Sequence, residues 1–97
     1  MDYKVSISPR TQMEIEDAID FYSINSDLTP KQFIKSLNDA YNALSINPFY
    51  RICYKNIRSL KLKRFPYSLF FILSEEKHSV KIIACFHNKL NPNKRPK

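Results

Sequence analysis

The chain has 97 residues, with 16 Lys/Arg against nine Asp/Glu for a formal charge of +7, and it contains no glycine. A hydrophobic fraction of 43% with 13% aromatics suits one folded domain with a single core, and the longest apolar run, Leu69 to Leu73, falls far short of the roughly 20 residues that span a bilayer. Without glycine there is no loop whose backbone closes on a phosphate, which excludes ATP, GTP and NAD chemistry of the P-loop or dinucleotide type.

Tyr3 to Ile7 alternates with period two and predicts a first strand. Met1-Asp2-Tyr3-Lys4 leads straight into it with no apolar signal region, so a cytoplasmic location is expected. Ser8-Pro9 marks a helix entrance, with Ser as N-cap and Pro at the first helical position. Ile15, Ala18, Ile19 and Tyr22 then share one helical face, and Ser23 to Leu28 is expected to break the helix. Thr29-Pro30-Lys31-Gln32 is a second entrance carrying a capping box. Phe33, Leu37, Ala40, Tyr41 and Leu44 form its apolar stripe, and Asn47-Pro48 ends it.

Strands are predicted over 57–63, 67–74 and 79–87, with Phe65-Pro66 and Glu75 to His78 as connections. Short links between them argue an antiparallel meander. Residues 88–97 carry four bases and no acid and read as a basic tail to a single domain over 1–87. The predicted fold is α+β in two layers. An N-terminal strand is followed by a helical hairpin packed on one face of the meander, in the order β-α-α-β-β-β, with four strands. Cys53 and Cys85 are expected as reduced, mostly buried thiols.

The charges are sorted along the chain. Residues 1–50 hold seven of the nine carboxylates and a net charge of −3, whereas residues 51–97 hold twelve Lys/Arg and a net of +10. A field of that sign concentrates nucleic acid or an acidic partner before any contact forms. Strand parity places Leu60 and Leu62 under the helices and Lys61 and Lys63 on the open face. On the last strand the same rule puts Val80, Ile82, Ala84 and Phe86 under the helices, with Lys81, Cys85 and His87 opposite. The middle strand is apolar on both sides, Leu69, Phe71 and Leu73 against Phe70 and Ile72, so its open face would floor a groove with a basic rim, a shape suited to single-stranded nucleic acid. Lysines on an open sheet face also serve solubility alone. Cys85 and His87 offer two metal ligands where a structural zinc needs four, so no metal or other cofactor is expected.

The stretch Ile57-Arg58-Ser59-Leu60-Lys61-Leu62-Lys63-Arg64-Phe65-Pro66-Tyr67-Ser68-Leu69-Phe70-Phe71, followed by Ile82-Ile83-Ala84-Cys85-Phe86-His87-Asn88-Lys89-Leu90-Asn91-Pro92, resembles the RelE/ParE superfamily of bacterial toxins. Tyr3 to Pro9, the Asn47-Pro48 exit and the element order extend the resemblance over nearly the whole chain. It implies a toxin paired with a small antitoxin whose acidic or amphipathic segment wraps it, in a hetero-oligomer without a membrane. RelE-like members cut mRNA on the ribosome and ParE-like members poison DNA gyrase, and fold does not choose between them. A member that merely binds its antitoxin is a third reading. Cleavage through the 2′-OH needs a base, an acid and cations for the phosphate. His87 is the candidate for proton transfer, and Arg64, Lys63 and Lys61 are the candidates for holding the phosphate. Arg58, Lys81 and Lys89 are candidate contacts to the nucleic-acid backbone, although Lys89 stands where many members have Arg.

Overall fold

The computed structural model describes residues 2–25 and 30–87. The capping box at Thr29, the tail over 88–97 and Lys89 lie outside them. The elements run β1 (Lys4–Ile7), α1 (Pro9–Asn25), α2 (Pro30–Ile46), β2 (Ile52–Tyr54), β3 (Ile57–Lys61), β4 (Tyr67–Ser74) and β5 (Ser79–His87). They form one five-stranded sheet in the order β1-β5-β4-β3-β2. The two-layer α+β plan and its meander are as the sequence implies. Three details differ. α1 continues to Asn25 instead of stopping at Ser23. β3 ends at Lys61, so Lys63 falls in the following turn. β2 is a fifth strand, a three-residue edge that pairs antiparallel with β3 through the Lys55-Asn56 turn.

β1 is parallel to β5, with Val5 opposite Val80 and Ile7 opposite Ile82. Beyond Ile7 the chain turns into α1, which takes over the exposed margin of β5. The Ser8 amide donates to the Ile82 carbonyl at 2.9 Å, and the Thr11 hydroxyl donates to the same oxygen at 3.1 Å. With its one proton spent there, Thr11 Oγ1 accepts from the Ser8 hydroxyl at 2.8 Å, while Ser8 Oγ accepts the Thr11 amide at 3.2 Å as the helix N-cap. Farther along, the Cys85 amide donates to Glu14 Oε1 at 2.8 Å. The helix thus satisfies backbone groups that a short β1 leaves over.

A β-bulge lies at the same place. Phe71 pairs with Ile82 and Phe70 with Ala84, which leaves Ile83 as an extra residue on β5. Past Ile83 the parity of β5 is inverted. Val80 and Ile82 face the helices as the alternation predicts, but Cys85 then joins the main core, while Ala84 and Phe86 turn to the far face. The expected placement of Cys85 and His87 on the open face, and of Ala84 and Phe86 beneath the helices, is therefore corrected. Simple alternation cannot register one inserted residue.

The main core joins Ile15, Ala18 and Tyr22 of α1 and Phe33, Leu37, Ala40 and Leu44 of α2 to the helix-facing residues of the sheet. Its densest part is aromatic. Phe33 lies with ring centroids 5.5 Å from Tyr22, 5.2 Å from Phe65 and 5.3 Å from Tyr67. These rings tie both helices to the β3–β4 connection, and the edge-to-face pairs of Phe33 with Phe65 and Tyr67 add about 0.5–1.5 kcal/mol each beyond area burial. On the far face Phe70, Ala84 and Phe86 pack with Ile57 and Ile83 as a small second cluster.

Both cysteines are free. Cys53 is exposed on the edge strand β2, against the expectation of burial, and Cys85 is buried. Desolvation, and then the Glu14 carboxylate, push the Cys85 thiol up from 9.0 to about 12. A raised folded-state value favours the neutral thiol, so its contribution to stability is present below the unfolded value and is lost as pH climbs from about 9 toward about 12. Burial raises Tyr41 and Tyr67 from 10.0 to about 12 and adds loss in the same window.

Glu14→Ala leaves the Cys85 amide without its acceptor and costs about 1–3 kcal/mol by urea unfolding, whereas Glu14→Gln keeps an acceptor and costs less. In the native protein at pH 8 a small thiol reagent modifies Cys53 quickly and Cys85 only on unfolding, and the urea midpoint falls as pH is raised above about 9.

Candidate nucleic-acid interface

The end of the sheet where β3 stops, β4 starts and β5 finishes collects most of the expected site residues. Tyr67 pairs with His87, and Lys61 pairs with Ser68, which pairs in turn with Phe86. The Lys63-Arg64 turn follows Lys61 directly. The residues meet at one end of the molecule but not on one face.

Lys61 is exposed and points to the far face, in the row of Ser68 and Phe86. Lys81 is exposed on that face too, opposite Ile72, four residues along β4 from the Lys61 row and so roughly 13 Å away in the strand direction. Between them lies the second apolar cluster. Phe70 is 4% and Phe86 5% exposed, so these rings form a packed floor and not an open stacking surface. The Arg10 guanidinium lies 5.8 Å from the centroid of the Phe86 ring.

His87 has moved with the bulge. It is half-buried at the helix-facing end of β5, its ring edge-on to Tyr67 at 4.9 Å. Burial, and then Tyr22 and Cys85, push the Tyr67 phenol up from 10.0 to about 12. Tyr67 therefore stays protonated at neutral pH and is a hydrogen-bond donor, not a base. Arg58 also lies outside the expected rim. Its row in the sheet is that of Phe71 and Ile82, on the helix side. Its Nη1 donates to the Tyr50 carbonyl at 2.7 Å and its guanidinium stands 5.5 Å from the Phe49 ring centroid. That arrangement secures the segment entering β2.

Lys63 and Arg64 face α2. The Ser36 hydroxyl donates to the Lys63 carbonyl at 3.0 Å, and Phe65 is driven into the aromatic core. Between these two anchors Arg64 takes a left-handed backbone, φ 68°. For a residue with a side chain that conformation costs roughly 1–2 kcal/mol, which the anchors offset. A cavity of about 270 Å³ opens there, walled by Gln32, Lys35, Ser36 and Asp39 of α2 and by Lys63, Arg64 and Phe65. A second cavity of about 180 Å³ adjoins it along β3 and reaches Lys61, Leu60 and Tyr50. The α2 residues are absent from the sequence reading of the site. Their signal was present, since positions 32, 35, 36 and 39 share one helical face beside the apolar stripe, but nothing local says that a turn 27 residues later closes over them. Among the described residues no group of His, Cys, Asp and Glu is placed to hold a metal ion.

No family model and no curated protein sequence matches the chain. Solved structures do. A chain of the chromosomal ParDE TA system from P. aeruginosa aligns with a TM-score of 0.64 at 15% identity, over 88% of this chain and 95% of that one. A chain of the toxin–antitoxin complex RelBE2 from Mycobacterium tuberculosis aligns at 0.63 and 18%, over 90% and 92%. A chain of the archaeal RelE–RelB complex from Pyrococcus horikoshii OT3 aligns at 0.62 and 13%, over 93% and 99%. At such identities the likeness is one of fold, and it runs almost end to end in both partners. The helical hairpin, the parallel β1–β5 pair and the meander together give this chain the RelE/ParE-like α+β fold.

Proposed function

We propose that this chain is the toxin of a toxin–antitoxin pair and that it inhibits growth as a ribosome-dependent mRNA endonuclease. The observation that carries the reading is the gathering of Lys61, Lys63, Arg64 and His87 at one end of a RelE/ParE-like sheet. Cleavage through the ribose 2′-OH asks for cations around the phosphate and a group that moves a proton. In this reading Arg64, with its planar fork, and Lys63 hold the scissile phosphate from the α2 side, and Lys61 holds the strand from the far face. His87 moves the proton, and the protonated Tyr67 beside it orients the imidazole or donates to a phosphate oxygen. The partner is an antitoxin whose acidic or amphipathic segment covers part of the basic surface in a hetero-oligomer, in a cytoplasmic setting. Structures with this fold include a RelE–RelB complex and a RelBE2 toxin–antitoxin complex.

A second reading, a ParE-like gyrase poison without catalysis, draws on the position of His87. Its ring packs on Tyr67 on the helix side of the sheet, away from the face that Lys61 occupies. That arrangement suits a structural histidine as well as a proton carrier.

One experiment separates the two. Purified protein is given to programmed ribosomes carrying a defined mRNA, with naked mRNA and supercoiling by gyrase as parallel arms. Ribosome-dependent cuts in the A-site codon, reduced about 10²–10⁴-fold by His87→Ala, are the expected result. Arg64→Lys, which keeps the charge and loses the fork, is also impaired. Inhibited supercoiling with intact mRNA, and full toxicity of His87→Ala, would transfer the proposal to gyrase.

Salt gives a separate check. Binding of single-stranded RNA through the basic end weakens linearly on a log–log plot, with a slope near −0.7 per phosphate contact. A flat response between 50 and 200 mM salt contradicts an electrostatic interface.

A further inference from the structure

Among the described residues, the seam between α2 and the β3–β4 turn gathers more cations than carboxylates. Lys35, Lys63 and Arg64 line one cavity. Asp39 is in its wall, yet among the described residues the one ion pair is Arg10 with Glu14. Three cations against one carboxylate leave the cavity net positive, and a low-dielectric wall behind them focuses that field. The turn is also fixed: Ser36 holds the Lys63 carbonyl, Phe65 is buried, and Arg64 is kept in a backbone conformation that arginine does not favour. A site so supported costs little reorganisation when an anion arrives.

We propose that this seam is a phosphate subsite for a single-stranded polynucleotide, with Lys35 of α2 as a ligand beside Lys63 and Arg64. Arg64 offers a two-pronged contact to the phosphate oxygens and the two lysines add point charges from opposite walls. The adjoining cavity favours a strand over a lone anion. It shares Ser36, Asp39 and Lys63 with the first, continues to Lys61, and is otherwise lined by apolar groups including Tyr50 and Leu60. A phosphate in the first chamber thus places its base against apolar walls in the second. The subsite rests on the nucleic-acid reading above and extends it from the sheet to α2.

The test is binding, not cleavage, so it stays separate from the endonuclease question. The full ¹⁵N-labelled chain is titrated with a short single-stranded oligoribonucleotide, with inorganic phosphate, and with an acidic peptide of equal charge. RNA is expected to shift the amides of Gln32, Lys35, Ser36 and Arg64, inorganic phosphate to shift the same set more weakly, and the peptide to bind less tightly than RNA. Lys35 is exposed, so Lys35→Glu keeps the fold. It should weaken RNA binding roughly tenfold, the worth of one charge-assisted contact, while Lys35→Arg retains affinity. Shifts confined to the strands bearing Lys61 and Lys81, or no loss with Lys35→Glu, overturn the subsite even if mRNA is cut on the ribosome. Tighter occupation of these amides by the peptide also overturns it, because the seam then belongs to a protein partner. RNA binding with the expected shifts sustains it even in a protein that cuts nothing.

Discussion

The docking of α1 on the margin of β5 governs the arrangement of this molecule. β1 is only four residues long and covers β5 as far as Ile82. Beyond that point Ser8, Thr11 and Glu14 supply the hydrogen bonds that another strand would have made. An uncovered margin there would expose the Cys85 amide and an edge ready for unwanted pairing. The bulge at Ile83 belongs to the same junction, since it turns Cys85 inward, with its amide meeting Glu14. One inserted residue therefore sets which half of β5 belongs to the core and which to the far face.

The aromatic knot of Tyr22, Phe33, Phe65 and Tyr67 does the corresponding work at the end of the sheet. It joins α1, α2 and the β3–β4 connection in a few ring contacts. Because Phe65 is locked in that knot, the residues just before it cannot relax, and Arg64 is held left-handed beside α2. Glycine would take such a position without strain, but the chain has none. The left-handed turn positions among the described residues fall to Lys55, Arg64 and His78. At Arg64 this places a cation on a rigid support at the mouth of a cavity.

The cations described at this end of the sheet do not pave one face. Lys61 looks to the far side, Lys63 and Arg64 look toward α2, and Arg58 donates to the Tyr50 carbonyl on the helix side. A polyanion that follows the cations must pass around the sheet end, with the α2 seam on one side. His87 stands at the same end on the helix side. The ParDE and RelBE2 structures share the fold at nearly equal scores, and a fold of this kind leaves function to the site built on it.

The sequence by itself determined the elements whose signals are local. Ser8-Pro9 announces α1, the stripe from Phe33 to Leu44 announces the core face of α2, and the alternation of Tyr3 to Ile7 and the β-forming apolar run within Tyr67 to Ser74 announce strands. The sorting of charge, and with it the basic end, is also legible in one dimension. Tertiary structure alone decided which way the residues after Ile82 face, since a bulge shifts parity without changing composition or period. It alone decided that β2 exists, because a three-residue edge strand has no signal apart from its partner β3. It also decided that Lys63 and Arg64 meet Lys35 across a gap in sequence, and that Arg58 donates to the Tyr50 carbonyl. Local backbone preference and periodicity are written residue by residue, whereas register, edge cover and the meeting of distant cations arise only when the chain has packed.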